Sequence, residues 1–148
     1  MHMEKDFDRW NKKKKRLDQG ERRPDFHERE IWWCSIGVNV GSEQHSQTND
    51  FSRPVVIIRR FTRDLFLGVP LTTKTKDAVA FRFRFVVGDI ENDALVLQMR
   101  AYDNRRLIRK IGTVPEDVFA GFVAAIHDAI VKTEPRTGRG SSEAEANV

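Results

Sequence analysis

The chain has 148 residues, of which 39% are hydrophobic and 32% are charged, with a formal net charge of +4 at pH 7. This length predicts one domain with extensions, because a domain usually spans about 100–200 residues. No apolar run approaches the roughly 20 residues of a membrane-spanning helix, and Met1–Trp10 is too polar for a signal peptide, so we expect a cytoplasmic protein. The single cysteine, Cys34, excludes an internal disulfide and a cysteine-based zinc site. The basic excess favours a polyanionic partner such as a nucleic acid, although the same charge also keeps a protein soluble.

The first segment, residues 1–26, is predicted to be a helical extension followed by a linker. Apolar side chains recur on one helical face of Asp6–Asp18, Trp10 among them, and the run Lys12–Arg16 is entirely basic. Pro24 disfavours helix in the residue before it, so a turn or linker follows. The basic run either widens a nucleic-acid-binding surface or is a solvated helix face that packs through Trp10. The sequence leaves both interpretations open.

Residues 27–132 are predicted to form a small, mainly β domain. Short apolar segments follow one another, rich in β-branched and aromatic residues and separated by turn-forming residues. The predicted strands are Ile31–Ile36, Pro54–Phe61, Leu65–Leu71, Ala80–Val87, Ala94–Arg100 and Lys110–Val114, with one helical turn at Asn104–Ile108.

Two of these segments carry further information. In Ala80–Val87, three phenylalanines alternate with two arginines, so a core or a dimer interface is expected to cover the side formed by Phe81, Phe83 and Phe85. Between the first two strands lies a polar segment, Gly37–Ser52. It is longer than the ~12–15 residues above which an unstructured loop is usually functional or disordered.

An amphipathic helix is predicted from about Val114 to Val131, because apolar residues repeat there every four positions. Thr113 and Glu116 fit the capping box that starts many helices. The segment 133–148 has no periodicity and is predicted to be a disordered tail. Short strands closed off by one helix predict a mainly β (α+β) fold, a small curled sheet or barrel with the helix packed on it.

The sequence contains no phosphate-binding glycine loop, no HExxH metal motif and no Gly-x-Ser-x-Gly nucleophile motif. Its four histidines are scattered along the chain, so no metal and no cofactor are expected. The remaining candidates for chemistry are polar residues at the ends of predicted strands.

Cleavage of RNA by its own 2′-hydroxyl needs a proton acceptor, a donor to the leaving 5′ oxygen and a fixed cation for the charge on phosphorus. Arginine suits the last role because its planar fork matches phosphate oxygens and keeps its proton. Arg53 lies where the polar segment meets a buried strand, and Thr72 and Thr73 follow the next strand. Gln98 and Arg100 lie on the predicted penultimate strand. Taken singly, each of these residues more often has a structural role, Arg53 as a surface charge and Thr72 as a turn former.

Several motifs occur in one order along the chain: EIWWCSIG from Glu30, Gly41–Gln44, Arg53–Ile58, Val69–Lys74, Leu97–Arg100, Asp103, Arg105–Leu107 and Lys110–Gly112 before the closing helix. No single motif is specific, but the ordered series resembles the MazF/PemK (Kid) family of toxins from type II toxin–antitoxin systems. The resemblance covers roughly His27–Val131.

The resemblance implies an SH3-like barrel of the PemK/MazF type that forms a homodimer. It implies an endoribonuclease, an mRNA interferase, that cuts single-stranded RNA without a metal and leaves a cyclic phosphate. It also implies a cognate antitoxin protein whose disordered tail occupies the RNA groove.

The family's functional residues carry over to positions in this chain. The cleavage arginine falls on Arg53 and the threonine after the third strand falls on Thr72, which makes these two the expected catalytic residues. The residues expected to bind RNA are Ser42, Glu43, Gln44, Thr73, Lys74, Gln98 and Arg100.

The chain also departs from the family pattern. Some relatives carry an arginine and an aspartate that act as acid and base where this chain has Leu95 and Leu97, so that mechanism does not transfer. The general base is unassigned, with Glu43 and His45 as candidates. Two other functions stay open: a toxin of the same fold that acts by binding, for instance by poisoning a topoisomerase, and a non-toxic RNA-binding barrel.

Overall fold

The computed structural model describes residues 4–37, 39 and 51–131. The predicted tail at 133–148, and most of the polar segment predicted at Gly37–Ser52, lie outside the described residues. The described elements are α1 (Phe7–Gln19), β1 (Glu30–Ser35), β2 (Ser52–Arg60), β3 (Leu65–Thr72), β4 (Arg82–Val87), β5 (Ile90–Leu95), β6 (Arg100–Asp103), β7 (Leu107–Thr113) and α2 (Glu116–Ile130). Two 3₁₀ turns, Val96–Gln98 and Asn104–Arg106, precede β6 and β7. Among these residues, no helix has the length and apolar character needed to cross a membrane.

The strands form one antiparallel sheet in the order β4-β5-β3-β2-β1-β7. The long strand β3 is shared: Leu65–Gly68 pair with β6, whereas Leu71 and Thr72 pair with β5. Because its two halves have different partners, the sheet curls into a half-barrel. This architecture, a curled sheet with one helix before its strands and one after them, confirms the predicted mainly β (α+β) fold.

Strand β2 is the centre of the core and is buried on both faces. On one face, Val56 and Ile58 belong to the apolar cluster that α2 covers through Phe122. On the other face, Val55 and Ile57 pack with Phe66, Tyr102 and their neighbours. Burial on both faces explains the uninterrupted apolar run Val55–Ile58, which lacks the alternation of a half-exposed strand.

The predicted helix at Asp6–Asp18 is confirmed as α1. The Asp6 side chain caps it by accepting a hydrogen bond from the Arg9 backbone N–H at 2.9 Å. Trp10 is its one buried residue and packs against Phe51, with ring centroids 5.7 Å apart.

The predicted strand at Ala94–Arg100 is wrong. Strand β5 ends at Leu95, a 3₁₀ turn spans Val96–Gln98, and β6 starts at Arg100. The turn is needed because β5 and β6 pair with opposite halves of β3. Val96 is buried and Leu97 is 61% exposed, so only the first of these two apolar residues belongs to the core.

The predicted phenylalanine side of the fourth strand is partly wrong. Phe85 is buried, and Phe83 stacks on Phe122 of α2 with ring centroids 5.2 Å apart. Phe81 precedes the strand in a turn with φ of +62° and is half exposed. The positive φ turns Phe81 out of the strand's alternation.

The predicted capping box of the closing helix is wrong as well. Thr113 is the last residue of β7 and pairs with Glu30, so it cannot cap α2. The N-cap of α2 is Pro115, which makes no side-chain capping hydrogen bond. The last strand is also longer than predicted, since it starts at Leu107 instead of Lys110.

Candidate active-site cleft

The two predicted catalytic residues lie at adjoining ends of neighbouring strands and line one cleft. Arg53 is the second residue of β2 and Thr72 is the last residue of β3. Val55 pairs with Pro70, so continuing this antiparallel register by two residues places Arg53 opposite Thr72. Both side chains line one open cleft of about 410 Å³. The fold therefore brings together the pair on which the predicted chemistry depends.

The Arg53 side chain is half-buried, and its Nη1 donates a hydrogen bond to the Leu71 carbonyl oxygen at 3.1 Å. Burial lowers the pKa of Arg53, and the nearby Tyr102 partly opposes that shift. An arginine starts from such a high pKa that the guanidinium stays charged at neutral pH. The cleft thus holds a permanent cation in a fixed position.

Thr72 begins the rim of the cleft. Its Oγ1 accepts a hydrogen bond from the Lys74 backbone N–H at 3.1 Å, which orders the turn that follows β3. A hydroxyl that accepts in this way still has its own proton to donate. Thr73 and Lys74, both exposed, line the same cleft. Of the predicted RNA-binding residues, these two lie beside the predicted catalytic pair.

A buried carboxylate anchors this rim from below. Asp93 of β5 pairs directly with Thr72 and its side chain is only 1% exposed. It accepts hydrogen bonds from the Lys76 backbone N–H (2.9 Å), from Arg82 Nη1 (3.1 Å) and from Arg84 Nε (2.9 Å). Burial raises the pKa of Asp93, but these hydrogen bonds, led by the one from Arg84, outweigh it and hold the pKa at about 2. Asp93 is therefore charged at every physiological pH.

Arg82, which binds Asp93, also holds the turn after β3. Its Nη1 donates a hydrogen bond to the Lys74 carbonyl oxygen at 3.2 Å. Arg82 and Lys76 line the cleft beside Arg53. Sequence reasoning missed Asp93, Arg82 and Lys76 as parts of the site. The available signal was the Gly88-Asp89 turn, since a two-residue hairpin turn fixes the register that places Arg84 opposite Asp93.

The other predicted RNA-binding residues lie elsewhere or outside the described residues. Gln98 is on the 3₁₀ turn after β5, and Arg100 starts β6 with its guanidinium 4.9 Å from the centre of the Tyr102 ring. Neither is among the residues that line the cleft. Ser42, Glu43 and Gln44, and the candidate base His45, lie outside the described residues.

Two further observations concern groups that could do chemistry. Within residues 4–37, 39 and 51–131, no three His, Cys, Asp or Glu side chains converge in a way that could hold a metal ion. Cys34, the residue of β1 that pairs with Arg53, is fully buried in the core, and burial raises its pKa to about 12.

Comparison with known protein families identifies the chain. The family model described as "PemK-like, MazF-like toxin of type II toxin-antitoxin system" matches residues 27–130. The chain belongs to this family. The match leaves α1 outside it, so this PemK/MazF-family chain carries a helix in addition to the family's domain.

Solved structures agree with this assignment at the level of the fold. MazF from Deinococcus radiodurans superimposes with a TM-score of 0.57 at 18% identity, over 74% of this chain and 98% of that one. The Mycobacterium tuberculosis toxin MazF-mt6 gives a TM-score of 0.52 at 17% identity, over 69% and 96%. A mycobacterial endoribonuclease in complex with its cognate antitoxin gives 0.55 at 15% identity, over 73% and 97%. None of the curated proteins compared with the chain matches its sequence.

Proposed function

We propose that this chain is a toxin that cuts single-stranded RNA without a metal ion, and that the cleft between Arg53 and Thr72 is its active site. In the proposed reaction, the 2′-hydroxyl oxygen attacks the adjacent phosphorus. The bond from phosphorus to the 5′ oxygen of the next nucleotide breaks. One product ends in a 2′,3′-cyclic phosphate and the other begins with a 5′-hydroxyl.

The observation that carries the proposal is that Arg53 and Thr72 line one cleft, where Arg53 Nη1 donates a hydrogen bond to the carbonyl oxygen of Leu71, the residue before Thr72. Arg53 would stabilise the negative charge on the phosphate oxygens as it grows in the transition state, and would donate a hydrogen bond to the leaving 5′ oxygen, which takes its proton from water. Thr72 would position the substrate through a hydrogen bond between its hydroxyl and either the scissile phosphate or the 2′-hydroxyl. The residue that accepts the 2′ proton is not assigned among the described residues.

The lining of the cleft supports a polyanionic substrate. Besides Arg53 it contains Lys74, Lys76 and Arg82, and the carboxylate of Asp93 beneath them is already engaged by Arg82 and Arg84. Hydrogen bonds from the Asp93 network hold the rim in place before a substrate arrives. Preorganised cations of this kind act on a phosphate without the cost of ordering them during the reaction.

We also propose that the chain acts as a homodimer in the cytoplasm and is neutralised by a protein antitoxin. Family membership supports both, and one similar structure is that of an endoribonuclease with its cognate antitoxin. Exposed apolar side chains on the outer strands and on α2, such as Val86 and Val123, offer surface that a second copy would cover. Sedimentation of the purified chain tests the dimer.

The nuclease is tested with a mixed-sequence single-stranded RNA in excess EDTA. We expect the parent to cut it and to leave cyclic-phosphate ends, while Arg53→Ala loses at least about a hundredfold in rate. Arg53→Lys, which keeps the charge but not the planar fork, should recover only part of it. Arg63→Ala, which removes an arginine at an exposed position in the β2–β3 turn, is the matched control and should cut like the parent.

Other outcomes separate the alternatives. Equal cutting by the parent and by a folded Arg53→Ala would move the active site away from this cleft. Growth arrest on expression with intact RNA would favour a toxin that acts by binding. Harmless expression of a folded parent that binds RNA without cutting it would favour a non-toxic RNA-binding barrel.

A further inference from the structure

Helix α1 is held firmly against the sheet at the two ends of the segment between β1 and β2. The ring of Trp10 lies against Gly37, where an added Cβ would come within 1.9 Å of it, and against Phe51. Gly37 and Phe51 are joined by a hydrogen bond of 3.0 Å from the Gly37 N–H to the Phe51 carbonyl oxygen. Lys5 Nζ adds a hydrogen bond of 2.6 Å to the Asn39 carbonyl oxygen. The helix is therefore a fixed part of the surface.

The place where α1 packs on the sheet, around Gly37 and Phe51, is close to the candidate cleft. Cys34 of β1 pairs with Arg53 on one side and with Leu107 of β7 on the other, so two strand spacings, roughly 10 Å, separate Arg53 from Leu107. Arg106, the residue before Leu107, places its guanidinium 5.8 Å from the Trp10 ring centre and donates to the Ser35 carbonyl oxygen at 3.0 Å. Arg106 thus links α1 to the strands that carry the cleft.

The surface between α1 and Arg106 has an excess of positive charge. Lys14 and Lys15 of α1 line a depression of about 350 Å³ together with Arg105 and Arg106. The two carboxylates there, Asp18 and Asp103, are both engaged by Arg105. In the part of the chain that the structure describes, no carboxylate is within ion-pair distance of Lys14, Lys15 or Arg106. Burial lowers the pKa of Arg106 and the nearby Arg100 lowers it further, while Asp103 partly opposes the shift.

We propose that α1 is a second RNA-binding element, in which Lys14, Lys15 and Arg106 bind backbone phosphates of the strand whose scissile bond lies at Arg53. The proposal rests on the proposed nuclease function and extends its interface beyond the family's domain, since the family match starts at residue 27. Phosphates need only well-placed cations, and this surface supplies them. An acidic peptide would also need apolar contacts, and α1 offers it there only the partly buried Leu17.

The helix itself supplies a matched pair of variants. Lys14→Gln/Lys15→Gln removes two charges from the side that faces Arg106. Lys12→Gln/Arg16→Gln removes two charges outside the depression, because at about 100° per residue those positions lie about 100° or more around the helix from Asn11, Lys14 and Asp18, which line it. Lys, Arg and Gln have similar helix propensities, so both variants should keep α1 folded and docked. Near-ultraviolet circular dichroism of the tryptophans checks this.

The test measures binding of uncleavable 2′-O-methyl RNA by fluorescence anisotropy across a series of salt concentrations. For an RNA of about 20 nucleotides, Lys14→Gln/Lys15→Gln should weaken binding about tenfold at low salt. The slope of log K against log salt should become shallower by about 1.4, two contacts at about 0.7 each. Lys12→Gln/Arg16→Gln should change the slope much less. An RNA of about four nucleotides, which fills only the cleft, should bind both variants like the parent.

Equal effects of the two double variants, or an unchanged slope for Lys14→Gln/Lys15→Gln, would overturn the proposal. The proposal would also be overturned if Lys14→Gln/Lys15→Gln lost binding to an acidic peptide but bound RNA like the parent. That result would assign the surface to a protein partner. Because the RNA is uncleavable, the result is independent of activity. A parent that fails to cut RNA but shows the predicted slopes would refute the nuclease alone, and a cutting parent with unchanged slopes would refute only the role of α1.

Discussion

Removal of the buried charge at Asp93 is the sharpest perturbation of the cleft that does not touch the proposed catalytic pair. At about 1.4 kcal/mol for each tenfold change in proton affinity, a pKa lowered from its usual 3.8 to about 2 stabilises the folded chain by about 2–3 kcal/mol at neutral pH. Asp93→Asn loses this stabilisation and leaves Arg82 and Arg84 without the carboxylate that both of them bind. We therefore expect it to lower the free energy of unfolding by about 2–3 kcal/mol, as measured by urea denaturation at pH 7.

The pH dependence of that loss identifies its cause. The pKa of Asp93 is lower in the folded chain than in the unfolded chain, so its contribution is complete above about pH 5. It is lost as the pH falls toward 2, where the folded form also takes up a proton. The stabilities of the parent and of Asp93→Asn should therefore converge in acid. In addition, the Lys76 amide should exchange faster in Asp93→Asn, because a neutral amide oxygen is a weaker hydrogen-bond acceptor than the carboxylate it replaces.

Asp77→Asn is the matched control. Asp77 also pairs with Arg84, at 2.6 Å, but its side chain is 89% exposed. An exposed ion pair contributes about 0–1 kcal/mol, so this variant should stay within about 1 kcal/mol of the parent. Equal destabilisation by the two variants, or parallel pH profiles for the parent and Asp93→Asn, would refute the assignment of Asp93 as the anchor of the rim.

Three further predictions follow from individual contacts. Gly37→Ala should destabilise the chain and release α1, because φ is +79° at Gly37 and the Trp10 ring occupies the space of the new Cβ. A red shift of the tryptophan fluorescence would report the release, and an unshifted spectrum would contradict it. The thiol of Cys34 should react with a thiol reagent only on unfolding, because it is fully buried and its pKa is raised to about 12. Prompt labelling of the folded chain would show that the thiol is accessible and would contradict this. Thr72→Val, which keeps the shape but removes the hydroxyl, should slow RNA cleavage about tenfold to a hundredfold with little change in affinity, and an unchanged rate would remove Thr72 from the chemistry.

Most of the fold could be predicted from the sequence because local pattern and tertiary position agree. The continuous apolar run Val55–Ile58 predicts a strand covered on both sides, and β2 has a core on each face. The amphipathic repeat predicts α2, whose Phe122 and Ile126 enter the core. The prediction failed at Val96–Gln98, where an apolar segment forms a turn because the neighbouring strands pair with different halves of β3. That requirement comes from the sheet and has no local signal.

The candidate site could be predicted in part. The resemblance to the family named Arg53 and Thr72, and the register of β2 and β3 brings them together. The anchor beneath them was missed because a single aspartate in Glu91-Asn92-Asp93 looks like any polar strand residue. Its burial becomes evident only when the hairpin places it against Arg82 and Arg84 and under the turn after β3. Similarly, the sequence does not show which way the basic side chains of α1 face. Their orientation follows from the docking of Trp10 against Gly37.

The central claim, that the Arg53–Thr72 cleft makes the 2′-hydroxyl of RNA attack its own phosphate, is tested most directly with one short RNA synthesised in two forms. One form has ribose throughout, and the other has a single 2′-deoxyribose on the 5′ side of the cut. Under single-turnover conditions in EDTA, the account predicts that the ribose form is cut to a cyclic phosphate while the deoxy form binds with similar affinity and stays intact. Cleavage of both forms at the same rate would contradict it.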